Sequence, residues 1–128
     1  MHRKLSKKIF IVDDNEMLTM ALEDYLTRRT MHKVQVFGTG EECINHLDES
    51  PDIIILDYNL NSVKESAANG AQILDLIKKL DHSIHVIMLS SQDAYGTALQ
   101  TIMKGADTYV IKDADAFAKI EAIIQEIN

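Results

Sequence analysis

Residues 53–60 read IIILDYNL, four consecutive large aliphatic residues that run directly into a carboxylate, Asp57. Four similar runs, short and mostly apolar, occur elsewhere: IFIV at 9–12, VQVF at 34–37, HVIML at 85–89 and TYVI at 108–111. Runs of this length that are rich in β-branched residues are typical of strands buried on both faces, as in a parallel sheet. The sequence therefore predicts five such strands.

Between these runs lie segments in which apolar residues recur every three or four positions, the spacing of a helix with one buried face. The five sets are Leu18, Leu22, Tyr25 and Leu26; Cys43, Ile44 and Leu47; Ile73, Leu74, Ile77 and Leu80; Leu99, Ile102 and Met103; and Phe117, Ile120, Ile124 and Ile127. A strand followed by a helix, five times over, predicts an α/β fold. We expect a five-stranded parallel sheet, doubly wound in the flavodoxin-like way, with helices on both faces.

Length and composition restrict the class of protein. The chain has the length of one ordinary domain, and we expect residues 1–128 to form a single domain. A formal net charge of −7 argues against direct binding to nucleic acid or anionic lipid. The first apolar run, at 9–12, is too short for a signal peptide or a membrane span. Cys43 is the only cysteine, which excludes an internal disulfide and agrees with a cytoplasmic location. It lies on the apolar side of a short predicted helix, so we expect it to be a packing residue.

Polar residues follow four of the predicted strands. They are Asp13, Asp14, Asp57, Ser90 and Lys112. In open parallel α/β sheets, ligands bind at the carboxyl ends of strands where the strand order reverses. Three carboxylates meeting there would repel one another unless a cation lay among them, and oxygen ligands without a cysteine or histidine cluster favour Mg²⁺.

Each acid taken singly also has a simpler interpretation. Asp14 or Asn15 would cap the first helix, and Asp57 would begin a turn. Ser90 and Lys112 favour a site, because they add a hydroxyl and an ammonium suited to a phosphoryl oxygen. A carboxylate can attack phosphorus in line and form an acyl phosphate if Mg²⁺ and Lys112 neutralise the charge, and Asp57, alone at its strand end, is the predicted nucleophile.

Four motifs, in order, resemble the receiver domain of two-component response regulators from end to end of the chain. They are IVDDNE at 11–16, IIILD at 53–57, VIMLSS at 86–91 and KGADTYVIKD at 104–113. The resemblance implies that Asp57 accepts phosphate from a histidine kinase or histidine phosphotransfer protein. It also implies that Mg²⁺ is held by Asp13, Asp14, Asp57 and the backbone carbonyl of Asn59.

The resemblance implies a switch as well as a phosphorylation site. Ser90 would turn towards the phosphoryl group, Lys112 would pair with it, and Tyr109 would move inward when Ser90 is engaged. Asn59 and Gln92 match positions that influence how fast the acyl phosphate hydrolyses. The chain would thus be a signalling switch that catalyses its own phosphorylation and dephosphorylation, rather than an enzyme acting on other molecules.

The partners follow from the same resemblance. We expect a surface near the fourth helix and fifth strand to bind a downstream protein, and dimerisation through the last helices is a further hypothesis. No output domain is expected within residues 1–128. A stand-alone regulator and a receiver that belongs to a longer protein both stay open.

The sequence departs from the family pattern in two places. Receivers usually carry a cis proline after the lysine, but Asp113 follows Lys112 here. A cis bond to a non-proline residue costs roughly 3 kcal/mol, which favours a trans bond and a differently placed loop, while the sequence leaves both cis and trans open. The extra acid is also expected to weaken the hold of Lys112 on phosphate. In addition, the loop at 58–70 reaches its glycine, Gly70, several residues late. A lid, a partner-binding segment and a solvated insertion are all open interpretations of this loop.

Two functions from other classes fit the sequence less well. A Mg²⁺-dependent phosphohydrolase with an aspartyl nucleophile would want a second acid two residues later for proton transfer, where this chain has Asn59. A flavodoxin-like flavin carrier would want a phosphate-binding loop rich in Ser, Thr or Gly after the first strand. The residues at 13–16 are DDNE instead.

Overall fold

All five predicted strands are present, each within one residue of its expected ends. In the computed structural model, which describes residues 6–60, 68–91, 101–102 and 105–127, they are β1 (Lys8–Val12), β2 (Lys33–Phe37), β3 (Ile53–Asp57), β4 (His85–Ser90) and β5 (Thr108–Ile111). They pair in parallel in the order β2-β1-β3-β4-β5. This order reverses between β1 and β3, as in a doubly wound sheet, so the predicted fold class is confirmed.

The helices follow the strands as predicted, with one difference in length. The described residues include α1 (Glu16–Arg29), α2 (Gly40–Asn45), α3 (Gly70–Leu80) and α4 (Ala116–Glu126), together with a 3₁₀ helix at Leu47–Glu49. The second predicted helix is shorter than expected, because Leu47 lies in the 3₁₀ helix rather than in α2. Of the fourth predicted helix, only 101–102 are described, and they are helical; Leu99 and Met103 lie outside the described residues. No described helix combines the length and the apolar composition needed to cross a membrane.

Side chains of the central strands alternate between two apolar cores, one on each face of the sheet. Phe10 and Ile54 belong to the core beneath α2 and α3, while Ile9 and Ile55 belong to the core beneath α1 and α4. Burial on both faces is therefore confirmed for β1, β3 and β4, whereas β2 and β5, at the sheet edges, are partly exposed. Cys43 is fully buried in the first core, as predicted, and this burial raises the pKa of its thiol to about 12.

A buried carboxylate joins α1 to α4. Glu121, which is only 8% exposed, accepts hydrogen bonds from the Tyr25 hydroxyl at 3.1 Å and from Arg29 Nε at 2.7 Å. A buried charge is tolerated when it is paired and hydrogen-bonded, and both partners come from α1. This contact holds α4 against α1 on the same face of the sheet.

Gly70, the first residue of α3, packs against the end of β3. A Cβ atom at this position would lie closer to the carbonyl oxygen of Asp57 and to the backbone of Tyr58 than real side-chain carbons approach. The Gly70 N–H donates to the Tyr58 carbonyl at 3.0 Å. Glycine is therefore required here by the close approach of two backbone segments, although it arrives late in the sequence.

Both ends of the loop at 58–70 are attached to the domain. Leu60 is buried in the core beneath α2 and α3, and the Ala68 N–H donates to Glu41 Oε2 at 2.9 Å. Residues 61–67 lie outside the described part of the chain. The described ends of this loop therefore pack against the domain and do not project into solvent. The role of the loop stays a prediction.

Candidate functional site

Three carboxylates meet at the edge of the sheet where the strand order reverses. Val12 of β1 and Leu56 of β3 are paired in register, so the residues that follow them on the two strands come together. One oxygen from each of Asp13, Asp14 and Asp57 lies within 4.8 Å of the others. Asp13 and Asp57 are buried, at 3% and 2% exposure. The predicted convergence of these acids is confirmed.

The simpler interpretations of these acids are partly correct and do not compete with the cluster. Asn15, and not Asp14, caps α1: its side chain accepts from the Leu18 N–H at 3.2 Å. The Asn15 N–H in turn donates to Asp13 Oδ1 at 2.9 Å. The start of α1 thus orients the carboxylate of Asp13, and the side-chain amide of Asn15 caps the helix.

Asp57 begins a turn and also belongs to the cluster. The N–H of Asn59 donates to Asp57 Oδ1 at 3.1 Å, the pattern in which an aspartate bonds to the backbone two residues later. Burial at the end of the fully buried strand β3 and this local bond together restrict the rotation of the carboxyl group.

Lys112 follows β5 and reaches across the edge of the sheet into the cluster. Its Nζ lies 3.2 Å from Asp13 Oδ2 and 3.1 Å from Asp57 Oδ1. Burial alone would lower the pKa of Lys112, but the charges of Asp13 and Asp57 outweigh it and raise that pKa above its usual value. The lysine is therefore an ammonium at neutral pH, placed between two carboxylates.

Asp13 is the least well compensated acid of the cluster. Burial and the charge of Asp57 raise the pKa of Asp13 to about 6, against the smaller opposing effects of Asn15 and Lys112. Among the described residues its Oδ2 accepts no hydrogen bond, and its partner is the Lys112 ammonium at an ion-pairing distance of 3.2 Å. A buried carboxylate oxygen in this state beside two other carboxylates suits a hard divalent cation. Such an acidic triad is typical of the Mg²⁺ site of receiver domains.

Ser90 and Tyr109 lie on the two strands beyond Asp57. Ser90 ends β4 with no solvent exposure, and its carbonyl accepts from the Lys112 N–H at 2.8 Å. Tyr109 is half-buried on β5 and packs against the core beneath α2 and α3. Gln92 lies outside the described residues.

Sequence reasoning missed how Asp113 is used. The described residues contain no cis peptide bond, so the Lys112–Asp113 bond, whose state the sequence left open, is trans. The carboxylate of Asp113 is turned to the other side: its Oδ2 pairs with Lys119 Nζ at 3.1 Å and its Oδ1 accepts from the Asp115 N–H at 2.9 Å. The sequence does show an acid, Asp113, six residues before Lys119 and on the other side of a helix start. This spacing indicates an ion pair only when the conformation of the turn between them is known.

The comparisons with known proteins agree with this geometry. Residues 9–125 match the family described as response regulator receiver domain. The chain belongs to this family. As the receiver domain of a two-component response regulator, it is a signalling switch rather than a conventional enzyme, and this role implies a cognate histidine kinase. The acidic pocket of Asp13, Asp14 and Asp57 is consistent with the phosphoacceptor site of a receiver.

The relatives of this receiver domain differ in length. It is 26% identical over 125 residues to the chemotaxis protein CheY of Bacillus subtilis, covering 97% of this chain and 100% of that protein. It is 31% identical over 121 residues to the transcriptional regulatory protein CpxR of Escherichia coli K12, covering 92% of this chain but only 49% of CpxR. Among solved structures, the BeF3-activated DrrB receiver domain superposes with a TM-score of 0.78 at 25% identity, covering 94% of this chain and 99% of that one.

Proposed function

We propose that Asp57 is the phosphoacceptor of this receiver and that it takes a phosphoryl group, with Mg²⁺, from a histidine kinase or histidine phosphotransfer protein. The observation that carries the proposal is the position of Lys112, whose Nζ lies 3.1 Å from Asp57 Oδ1 and 3.2 Å from Asp13 Oδ2. An ammonium bound to two acids beside a third supplies the charges that an in-line phosphoryl transfer needs.

The metal-binding part of the proposal assigns Mg²⁺ to Asp13, Asp14, Asp57 and the backbone carbonyl of Asn59. The undonated Oδ2 of Asp13 and the all-oxygen ligand set support a hard cation. When bound, Mg²⁺ would neutralise charge on the oxygens of the transferring phosphoryl group.

The residues of the chain supply the nucleophile and its orientation. An Asp57 carboxylate oxygen forms a new O–P bond while the P–N bond to the donor imidazole breaks, and the electron pair of that bond returns to the imidazole nitrogen. Lys112 and the Asn59 N–H both contact Oδ1 of Asp57 and hold the carboxyl group in one orientation. The same site would later admit water, so the domain catalyses its own phosphorylation and dephosphorylation, at a rate that Asn59 and Gln92 influence.

The switching part of the proposal concerns β4 and β5. The Ser90 hydroxyl turns towards the phosphoryl group, and Tyr109 moves inward from its half-buried position as a result. Phosphate shifts the population only as far as it binds one conformation better than the other. We propose that the change is read by a downstream protein, or by an attached output domain, at the surface near β5 and the helix that contains 101–102, with homodimerisation as a further outcome.

The setting of this function is also a proposal. A single sheet with two cores over the described residues supports one receiver domain across 1–128, and the −7 charge argues against direct binding to nucleic acid or to a membrane surface. One buried free cysteine, Cys43, agrees with the cytoplasm. Relatives whose whole length matches the chain support a stand-alone regulator. Relatives of which the chain matches only half support a part of a longer protein equally well.

The first test is intact-mass measurement after incubation with Mg²⁺ and acetyl phosphate. We expect one added phosphoryl group on the native chain, none on Asp57→Asn, and none when EDTA removes the metal. Asp75→Asn is the matched control, because Asp75 is an exposed aspartate that pairs with Lys79 on α3 and should leave the adduct unchanged. An equal adduct on Asp57→Asn, or no adduct on the native chain even with a cognate kinase, would refute the assignment.

A further inference from the structure

The turn that follows β5 is organised by the backbone of Asp113. Its N–H donates to the carbonyl of Ile111 at 2.9 Å, and its carbonyl accepts from the N–H of Ala116 at 3.1 Å. The first of these bonds spans two residues and closes a γ-turn centred on Lys112. A proline at 113 has no N–H to donate, so this turn depends on the departure from the family pattern.

The side chain of Asp113 ties the same turn to α4. Oδ1 accepts from the Asp115 N–H at 2.9 Å, and Oδ2 accepts from Lys119 Nζ at 3.1 Å. The two lysines on either side of Asp113 thus have different uses: Lys119 holds the turn, while Lys112 enters the acidic cluster. All the polar groups of Asp113 are engaged away from the cluster.

Lys112 is consequently held on both sides at its backbone. Its N–H donates to the Ser90 carbonyl at 2.8 Å, which continues the pairing of β4 with β5, and the γ-turn follows immediately. Because a lysine side chain has many rotamers, the direction in which its backbone presents it decides whether Nζ reaches the cluster. The side chain is 24% exposed, so it has room to leave the cluster if the turn is released.

We propose that Asp113 is a positioning residue for Lys112: its side-chain bonds to the Asp115 N–H and to Lys119 fix the turn that directs the Lys112 ammonium into the acidic cluster. The effect on phosphorylation rests on the proposed function, whereas the positioning itself can be measured without phosphate or metal. The competing view is that Asp113 and Lys119 form only an exposed ion pair, of the kind that has little influence on anything but local charge.

The test uses the full-length chain and the variant Asp113→Ala, with Asp75→Ala as the matched control. The control removes an exposed aspartate whose ion pair with Lys79, at 3.0 Å, resembles the pair of Asp113 with Lys119 and changes the net charge equally. In metal-free buffer, the chain is treated briefly with an amine-acylating ester, and acylation at Lys112 is quantified by peptide mass spectrometry. We expect Lys112 in Asp113→Ala to react about threefold faster or more, because a side chain released from its orientation spends less time between the acids, and to be unchanged in Asp75→Ala.

A second measurement connects the positioning to the reaction. The rate of Asp57 phosphorylation by acetyl phosphate at saturating Mg²⁺ should fall about three- to tenfold in Asp113→Ala, with the metal affinity unchanged. Faster acylation with a native phosphorylation rate would leave the positioning intact and refute the use of Lys112 in transfer. Acylation of Lys112 at the native rate, or a rise of equal size in Asp75→Ala, would overturn the proposal. Asp113→Asn, which keeps one side-chain acceptor oxygen but not the charge that pairs with Lys119, replaces the alanine variant in both measurements if the latter fails to fold.

Discussion

Acidic residues at the two ends of the sheet have opposite surroundings. At the amino end of β4, Asp107 Oδ2 accepts from the Val86 N–H at 2.8 Å and from Lys78 Nζ at 2.7 Å. Burial alone would raise the pKa of Asp107, but these bonds outweigh it and hold that pKa below its usual value. At the carboxyl end, burial and the charge of Asp57 raise the pKa of Asp13 to about 6.

The difference teaches how one sheet separates stability from function. The carboxylate at the amino end, Asp107, accepts two hydrogen bonds at Oδ2, one of them from the backbone of β4, and these bonds stabilise the folded state. The carboxylates of the site crowd together, and in the described part of the chain the ammonium of Lys112 lies between two of them, so the charged site opposes folding until a cation enters. Substitutions of the charged groups at the amino end should therefore lower stability and leave phosphorylation near native, whereas those in the site should slow phosphorylation, and those of its carboxylates should do so without lowering the stability of the metal-free protein.

Replacing the lysine at each end of the sheet, Lys112 in the site and Lys78 at the amino end, should give the largest effects. Lys112→Ala should slow phosphorylation of Asp57 by about 10²- to 10³-fold, the usual loss when one group that stabilises transition-state charge is removed. Lys78→Met should leave that rate near native and lower the free energy of unfolding by about 1–3 kcal/mol, because the buried Ile84 carbonyl and Asp107 lose a donor. Phosphorylation kinetics and urea unfolding of both variants measure this. A slow Lys78→Met with native stability would reverse the assignment of the two ends.

Asp13→Asn tests the claim that the charged site opposes folding. With EDTA at pH 7 the variant should be more stable than native by about 2–3 kcal/mol, because the native carboxyl has its folded pKa raised from 3.8 to about 6. Below pH 3.8 Asp13 is protonated in both the folded and the unfolded protein, so the variant and the native chain do not differ in stability for this reason. The advantage of the variant grows as the pH rises from 3.8 towards 6. Urea unfolding at several pH values measures it, and adding Mg²⁺ should reverse the order. A variant less stable than native at pH 7 without metal would contradict this account.

Gly70→Ala tests whether the late glycine supports the site. The added Cβ collides with the backbone at Asp57 and Tyr58, so the free energy of unfolding should fall by about 1–3 kcal/mol, and the phosphorylation rate should fall with it. Gly38→Ala is the control, since a Cβ there has nothing within 4 Å. Equal stability of the two variants would show that α3 can move away from β3 without loss.

Asp107→Asn should give the smallest effect and the opposite dependence on pH. The substitution should lower the free energy of unfolding by about 1 kcal/mol at pH 7, since the bond from Lys78 loses its charge and the residue is partly exposed. A depressed pKa contributes stability above the unfolded value, and this contribution is lost as the pH falls through the folded value, so the deficit should shrink in acid. Thermal unfolding at pH 7 and pH 3 measures it, with Asp75→Asn as an exposed comparison. A deficit that grows in acid would be inconsistent with the lowered pKa of Asp107.

Much of the site could be predicted because strand ends are local features. Asp13, Asp57, Ser90 and Lys112 each follow an apolar run, and parallel strands carry their carboxyl ends to one edge whatever the details of packing. What could not be predicted was the use of each neighbouring residue. Asn15 rather than Asp14 caps α1, because the choice depends on the backbone angles at the turn.

Contacts between distant segments account for most of what the sequence left undetermined. The sequence left the state of the Lys112–Asp113 bond open and did not indicate the link of Asp113 to Lys119. It also did not predict the burial of Glu121 between Tyr25 and Arg29. The late position of Gly70 was visible in the sequence, whereas its contact with the backbone at the end of β3 was not. Each of these contacts pairs residues whose closeness follows from how a helix docks on the sheet.

By itself, the sequence determined the parallel sheet, its alternation with helices and the edge at which the acids collect, because periodicity and the direction of the chain are properties of short segments. Only the tertiary structure decided the electrostatic state of that edge. The burial of Asp13, its undonated oxygen and the reach of Lys112 to two acids depend on distances between strands and on the exclusion of water, and charge interactions change steeply with both.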